Sequence, residues 1–338
     1  MLKYRYKETQ EIKKLLIELE ALRILFDQVK ALPHIEENLR RESLLKSALF
    51  SARVEGNPLN LEKIKFASVE EKTSDIKKLE VFNLLPAYRF VYGRKAPKKL
   101  NITFIKKLHQ MTMKSISADV GRLRTEPWAI FNQAGVAVYL APAPFRLSNL
   151  MQDFIRIAQE LKYEPPIRAA ILQFLFEKIH PFADGNGRVG RLISAYIMKN
   201  GEYSFRGLVS MEEIIDKNRE NYYQALEPSR DVTLFVEFFL RSIIEQAKSV
   251  LGKLSEKEKE LPEDFLLPRR REIFKIIKDH PYCTFNFISR RFPAVNPKSL
   301  HYDLKQLQEK GFIIKAGKTR GASYKEKGKE DIIVSKYE

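Results

Sequence analysis

The residue types that chemistry requires are concentrated in one stretch, HPFADGNGRVGR at positions 180–191. His180 is a side chain that can accept a proton near neutral pH. Asp184 supplies a carboxylate of the kind that binds Mg²⁺. Arg188 and Arg191 are three residues apart, so on a helix they share one face and can bind the same anion. The stretch therefore combines a base, a metal ligand and an anion site.

The flanking segments determine how this stretch is presented. An apolar helix predicted over 166–179 ends where Pro181 prevents its continuation. Gly185 and Gly187 permit a turn whose backbone N–H groups point into one concavity. A second helix, predicted from about Arg188, directs the positive end of its dipole at the same concavity. The elements predict an anion-binding loop between two helices.

At these residues the chain resembles Fic-domain proteins, since it matches their motif HPFx(D/E)GNGRxxR at every specified position. The resemblance extends over about 100–245: GRLRT at 121–125 and a hairpin resemble the family's flap, and NRENYYQAL at 218–226 resembles a later helix. It implies a mainly α fold with a small β-hairpin. It also implies a protein adenylyltransferase (an AMPylating enzyme), which moves AMP from ATP to a hydroxyl side chain of a target protein or of itself.

The resemblance assigns a role to each matching residue. His180 would be the general base, and Asp184 would hold Mg²⁺ between the α- and β-phosphates. Asn186 would stabilise the phosphate oxygens, and the two arginines would bind the β- and γ-phosphates. The ATP-binding residues that it implies are Gly185, Asn186, Gly187, Arg188, Val189, Gly190, Arg191, Tyr222 and Tyr223. The flap residues that would pair with an extended target segment are Val136, Ala137, Val138, Tyr139 and Leu140.

A second motif lies upstream, where SARVEGN at 51–57 resembles the (S/T)xxxE(G/N) inhibitory helix of many Fic proteins. Gly56 is a helix-stop signal for a helix predicted over about 38–55. A carboxylate at a helix C-terminus is disfavoured by the helix dipole unless a basic group offsets it. The resemblance implies that Glu55 pairs with Arg191 and leaves ATP in an unproductive pose, while Ser51 supports the helix.

Composition bounds the class of protein. The chain has 338 residues, of which 44% are hydrophobic and 30% charged, as in soluble globular proteins. Its one cysteine, Cys283, excludes an intrachain disulfide framework. The sequence shows neither a signal peptide nor a membrane-spanning stretch, and this predicts a cytoplasmic location.

The formal net charge is +17, and more than half of it lies at the C-terminal end. Residues 265–338 hold 17 Lys and Arg against 8 Asp and Glu. After a charged stretch at 255–265, the pattern predicts a helix over 269–279, a short helix capped by Thr284, a helix over 297–310 and a β-hairpin. That order is typical of a winged helix-turn-helix domain, and its charge suits a nucleic-acid partner.

We predict four parts in the chain. They are an N-terminal helical extension at 1–98 with the inhibitory helix at about 41–56, a Fic core at 99–252, a linker at 253–266 and a winged-helix domain at 267–338. The other predicted helices cover 8–30, 60–70, 73–93, 100–114, 147–162, 211–226 and 231–250.

Two alternatives stay open at this point. The same site can remove AMP from a modified protein or move another phosphate-containing group. In the second alternative, the chain is a nucleotide-sensing transcription regulator that binds DNA. The contacts would come from Lys298, Ser299, His301 and Tyr302, with Lys315, Lys318 and Arg320 on the wing. The sequence does not identify the target protein. It is compatible with a homodimer. We expect the other four histidines to be structural or surface residues: His34, His109, His280 and His301.

Overall fold

The computed structural model describes residues 2–29, 33–65, 73–131, 137–227, 230–255, 262–293, 295–317 and 322–327. These residues belong to two compact units, Met1–Glu256 and Lys257–Glu338. In its described part the first unit is helical with one two-stranded sheet, and the second combines helices with a three-stranded sheet. The prediction of a mainly α fold is confirmed.

The helices of the first unit, within the described residues, are α1 (Gln10–Gln28), α2 (Pro33–Val54), α3 (Leu61–Lys65), α4 (Ile76–Phe82), α5 (Leu84–Tyr92), α6 (Ile102–Thr112), α7 (Leu147–Glu160), α8 (Pro165–Ile179), α9 (Asn186–Asn200), α10 (Met211–Lys217), α11 (Arg219–Ala225) and α12 (Thr233–Ser255). Strands β1 (Ala129–Phe131) and β2 (Ala137–Leu140) form an antiparallel hairpin with Ile130 opposite Tyr139. The rest of the helix predicted over 60–70 lies outside the described residues.

Two predicted helices are each divided in two. The helix predicted over 73–93 breaks at Asn83, because Pro86 has no N–H to donate to the residue four positions earlier. The helix predicted over 211–226 breaks at Asn218, whose side chain donates to the carbonyl of Ile214 at 3.0 Å. That hydrogen bond offers the backbone an alternative to continuing the helix.

Helices α8 and α9 form the centre of the first unit. Helix α8 begins with two prolines, which a first helical turn tolerates because its N–H groups lack partners in any case. Its side chains are buried on nearly every face, and it packs more extensively against α9 than against any other described element. The loop between them, residues 180–185, is therefore fixed at both ends by core helices.

The N-terminal helices share one continuous hydrophobic core with the later helices. Helix α1 packs against α12, and α2 packs mainly against α10. The boundary that we predicted between residues 98 and 99 stays a prediction. No described helix of either unit is long and apolar enough to cross a membrane.

The second unit has its own hydrophobic core. Its described elements are α13 (Pro268–Asp279), β3 (Cys283–Thr284), α14 (Phe285–Ser289), α15 (Pro297–Glu309), β4 (Ile313–Ala316) and β5 (Ser323–Glu326). The sheet order is β3-β5-β4, with antiparallel pairs. Thr284 caps α14 by accepting a hydrogen bond from the backbone N–H of Phe287. The winged-helix assignment stays a prediction, and so does the predicted linker, of which residues 256–261 lie outside the described residues.

Candidate functional site

A cavity of about 680 Å³ opens on the loop between α8 and α9. Its walls come from that loop, the end of α8, the first turn of α9, the hairpin, α11 and the end of the predicted inhibitory helix. The lining side chains on which the site depends are Glu55, Trp128, Glu177, His180, Asp184 and Tyr223. Three of these come from sequence positions far from the motif at 180–191.

His180 follows the last residue of α8, as predicted, and its backbone is left-handed, with φ 49°. Its ring stacks on Trp128, with the ring centroids 3.5 Å apart. Burial lowers the pKa of His180 to about 4, below its ordinary value of 6.5. The backbone carbonyl of Glu177 accepts a hydrogen bond from the ring. The imidazole is therefore neutral at pH 7, and its second nitrogen can accept a proton.

Trp128→Ala is expected to shift the acid side of the pH–rate profile to higher pH. Exposing the ring raises the pKa of His180 from about 4 toward its ordinary 6.5, so the base becomes protonated at a higher pH. We expect a shift of roughly one to two pH units, measured as AMP incorporation in a Glu55→Gly background. Trp128→Phe keeps an aromatic ring and is the matched control. Profiles that coincide for all three proteins contradict this account.

Arg124 connects the hairpin to the loop, and sequence reasoning did not single it out. Its guanidinium donates to three backbone carbonyls, those of His180 (2.8 Å), Glu126 (2.9 Å) and Pro142 (2.5 Å). The backbone N–H of Arg124 donates to the carbonyl of Pro181 at 2.9 Å. The only signal for this role was its position within the flap-like GRLRT segment. Arg124 therefore fixes the backbone of His180 and Pro181.

Asn186 stabilises the loop from within. Its side-chain oxygen accepts from the N–H of Phe182 at 2.9 Å, and its amide nitrogen donates to the carbonyl of Phe182 at 2.8 Å. The ring of His109 stacks on Phe182 and contacts the carbonyl of Asp184 and the N–H of Gly121. Asn186 thus has structural partners, and its implied contact with phosphate stays a prediction. His109 has the structural role that we expected.

Helix α9 begins at Asn186, two residues earlier than predicted. Gly185 precedes it with φ 79°, a left-handed conformation that favours glycine. Val189 points into the core and is buried. Gly185, Asn186 and Gly187 all line the cavity, so the first turn of α9 forms part of its wall.

Asp184 lies at the rim of the cavity, with its side chain 64% exposed. Its oxygens accept from Arg188 Nη2 at 3.0 and 3.1 Å and from the N–H of Gly185 at 2.5 Å. Within the described residues, no three His, Cys, Asp or Glu side chains are grouped so as to hold a metal ion. A cation here would have Asp184 as its protein carboxylate, an arrangement that Mg²⁺ bound to substrate phosphates accepts.

Arg191 is completely buried and contacts the end of α2. Its Nε donates to Ser51 Oγ at 2.9 Å, and its Nη2 donates to the carbonyl of Ser51 at 2.7 Å and to Glu55 Oε1 at 2.8 Å. Burial disfavours the charge on Arg191, but Glu55, Tyr222, Glu177 and Tyr88 together outweigh burial and raise the pKa of the guanidinium. Arg188 and Arg191 were predicted to share one anion, yet here they have different partners.

Gly187 leaves the space that the carboxylate of Glu55 occupies. A Cβ at this position would lie 2.1 Å from Glu55 Oε1 and 3.2 Å from Arg191 Nη1. Gly190 has a similar relation to Glu177, whose Oε1 would lie 2.9 Å from a Cβ there. Gly187 and Gly190 therefore let two carboxyl groups approach the surface of α9.

Glu177 is a part-buried carboxyl that sequence reasoning missed, because nothing in its position on the apolar helix α8 marks it. Its Oε1 has no hydrogen-bond partner among the described residues. Burial, followed by the negative charge of Glu55, raises the pKa of Glu177 to about 8. The group is therefore largely protonated at neutral pH.

Glu177→Gln is expected to stabilise the protein more at pH 8 than at pH 5. The folded-state pKa of about 8 exceeds the ordinary 4.5, so the folded state keeps a proton that the unfolded chain releases in this window. The free energy of unfolding of the unsubstituted protein should therefore fall by up to about 1.4 kcal/mol per pH unit from this group. Urea denaturation between pH 5 and 8 measures it. A difference between the two proteins that does not change with pH contradicts the expectation.

Tyr222 and Tyr223 both line the cavity but differ in exposure. Tyr222 is buried and accepts a hydrogen bond from Gln173 at 3.2 Å. Tyr223 is 48% exposed, and its hydroxyl donates to the carbonyl of Val54 at 3.0 Å. Tyr223 thus links α11 to the end of α2. Their implied contact with ATP stays a prediction.

The predicted flap corresponds to β2. Ala137, Val138, Tyr139 and Leu140 form the strand, whereas Val136 lies outside the described residues. The hydroxyl of Tyr139 donates to the carbonyl of Lys178, and Leu140 is exposed. Among the described residues β1 pairs with one edge of β2, and no strand pairs with the other. That second edge suits the addition of an extended peptide.

Comparison with known proteins identifies sequences similar to this chain. The Fic/DOC family matches residues 99–198. A probable protein adenylyltransferase of Aquifex aeolicus is 28% identical over 188 residues, which are 53% of this chain and 54% of that protein. The protein adenylyltransferase Fic of Aedes aegypti is 27% identical over 232 residues, 65% of this chain and 43% of that protein. This chain thus spans about half the length of these curated relatives.

A solved structure shares the fold. A Fic family protein from Desulfovibrio desulfuricans G20 superposes with a TM-score of 0.67 at 22% identity, over 96% of this chain and 98% of that chain. The matched family segment contains α6, the hairpin, α7, α8, the loop with His180 and most of α9. Residues 99–198 of this chain therefore form a domain of the Fic/DOC family.

Proposed function

We propose that this chain is a protein adenylyltransferase, which moves AMP from ATP to a hydroxyl side chain of a target protein or of itself, and that Glu55 restrains it. One observation carries the proposal: a neutral His180 and Glu55, which pairs with Arg191, line the same cavity. The names of the curated relatives support the same activity.

The reaction requires an in-line displacement at the α-phosphorus of ATP. The target hydroxyl oxygen forms a bond to that phosphorus, and the bond to the bridging oxygen breaks, so pyrophosphate leaves with the electron pair. The hydroxyl proton passes to the ring nitrogen of His180 that is not bonded to the carbonyl of Glu177. Arg124 and Trp128 hold the backbone and the ring of this base in place.

The phosphates are negatively charged, and the residues near the loop fit that charge. Arg191 would bind the γ-phosphate once Glu55 withdraws, and Arg188 would bind the β-phosphate. Asp184, exposed at the rim, would hold Mg²⁺, which neutralises phosphate charge when bound. The open edge of β2 would pair with the target segment that carries the hydroxyl.

Position-specific labelling of ATP tests the proposal. Label on the α-phosphate is expected to enter protein, whereas label on the γ-phosphate is expected to leave as pyrophosphate. Intact-mass spectrometry should then show the added mass of one AMP on this chain or on a target. Incorporation of the γ-label instead would indicate phosphoryl transfer and refute the proposal.

Removal of AMP is the second candidate within the same site. Glu55 lines the cavity that contains His180, and its side chain is 34% exposed, so its carboxylate can orient a water molecule there. Release of AMP from an AMPylated protein, without any need for pyrophosphate, would identify this direction. Loss of that release in Glu55→Gly would assign the step to Glu55.

We also propose that the second unit binds double-stranded DNA. Asp303 of α15 is buried and paired with Arg269 (2.5 Å) and Arg270 (2.9 Å), so it contributes no free negative charge to the surface. The candidate contacts on α15 are Lys298, Ser299, His301 and Tyr302, with Lys315 on β4; Lys318 and Arg320 lie outside the described residues. A gel shift should weaken steeply with salt, and His180→Ala should leave it unchanged. No shift at low salt rejects the idea.

A further inference from the structure

Outside the cavity, Glu212 is a buried carboxyl group, 4% exposed, at the start of α10. Three hydroxyl groups donate to it: Ser47 at 2.9 Å, Ser210 at 3.3 Å and Tyr88 at 2.5 Å. A buried carboxyl with this many donors is well satisfied, and losing it would leave three buried hydroxyl groups without their acceptor. Neither the motifs nor the proposed chemistry accounts for it.

The donors connect Glu212 to the inhibitory helix. Ser47, Ser51 and Glu55 follow one another at intervals of four residues, so they lie along one face of α2 and its C-terminal extension. Ser51 accepts from Arg191, while Ser47 donates to Glu212. The face that presents Glu55 to the loop is therefore held at two successive turns.

Tyr88 of α5 lies between these two attachments. Its hydroxyl donates to Glu212, and the polar side chain of Ser51 interacts with the same hydroxyl and opposes the rise of its pKa. A path of polar contacts thus runs from the cation of Arg191 through Ser51 and Tyr88 to the carboxyl of Glu212. In a buried setting, such connected hydrogen bonds reinforce one another.

Helix α10 presents further acidic groups to α2. It is the described element against which α2 packs most extensively. The polar contacts between the two helices are Glu212 with Ser47 (2.9 Å), Glu213 with Lys46 (3.0 Å) and Asp216 with Arg53 (3.0 Å). Among these three contacts, the one formed by Glu212 has both partners buried.

We propose that Glu212 is a positioning residue for the inhibitory helix, which acts through Ser47 and Tyr88 to set where Glu55 meets Arg191. The inference rests on the proposed function, because it assigns a partner to the restraint exerted by Glu55. It extends that restraint from the Ser51–Glu55 segment to a second attachment on α10.

The test compares Glu212→Gln and Ser47→Ala, each in the otherwise unsubstituted full chain and in a Glu55→Gly background. Each change is expected to raise AMP incorporation roughly tenfold, as the loss of one hydrogen bond to a charged group would. Neither should raise it further when Glu55 is absent. Glu237→Gln is the matched control, since Glu237 accepts a hydroxyl hydrogen bond from Thr9, away from α2.

Hydrogen exchange of the α2 amides gives a second readout that does not depend on catalysis. Glu212→Gln should accelerate exchange over residues 47–55, and Glu237→Gln should not. Unchanged exchange overturns the inference, and so does an increase in labelling that persists without Glu55. If no variant incorporates AMP while exchange changes as expected, the proposed function fails and the positioning role stands.

Discussion

The Glu55→Gly protein is expected to incorporate AMP at least ten times faster than the unsubstituted protein. The substitution removes the carboxylate that now holds Arg191 Nη2 at 2.8 Å, so the guanidinium becomes available to the γ-phosphate. A hydrogen bond between charged groups contributes about 1.5 to 3 kcal/mol, which corresponds to roughly a tenfold to hundredfold change. Transfer of label from the α-phosphate of ATP, followed over time, measures the effect.

A carboxylate elsewhere on the same helix provides the control. Glu37 is exposed on α2 and pairs with Arg41 of the same helix, so Glu37→Ala should leave the rate unchanged. Equal labelling of the unsubstituted and Glu55→Gly proteins would show that the Glu55–Arg191 pair does not restrain transfer. The assignment of Glu55 as an inhibitory residue would then be wrong.

His180→Ala, introduced into the Glu55→Gly protein, is expected to reduce AMP transfer at least a hundredfold. General base catalysis contributes typically about 10²- to 10⁴-fold, and the neutral imidazole of His180 is the base that the cavity presents. The substitution removes no phosphate ligand. ATP affinity, measured by calorimetry, should therefore change little while the rate falls.

Arg191→Ala in the same background should show the converse pattern, with weakened ATP binding as its main effect, because this residue would bind the γ-phosphate. Comparing the two variants separates the base from the anion site. A His180→Ala protein that still transfers AMP at the rate of its parent would remove the proposed chemistry from this loop.

The sequence predicted the framework of the site well, because its elements are local. The apolar run before Pro181 and the glycines after it determine where α8 ends and α9 begins, within two residues. The (S/T)xxxE(G/N) motif likewise placed Ser51 and Glu55 on one turn, and the structure brings both to Arg191. The break at Asn83 was missed, although Pro86 is a local signal that could have indicated it.

What the sequence could not predict depends on contacts between distant segments. Trp128 stacks on His180 across 52 positions of the chain, and no spacing rule connects them. The ordinary pKa of histidine was consequently a poor guide, because burial against that ring lowers it. Glu212 was also missed, since the role of a polar side chain is decided by the partners that folding places within hydrogen-bond distance.

The absence of a side chain at position 187 limits where a substitution could relieve the proposed inhibition by Glu55. The carboxylate of Glu55 sits so close to Gly187 that even a methyl group would collide with it, and the proposed γ-phosphate would need the same room beside Arg191. A larger residue at position 187 would displace both the carboxylate of Glu55 and the γ-phosphate. Gain-of-function variants should accordingly arise in the helices that carry Ser47, Ser51 and Glu212, and not in the glycine-rich turn itself.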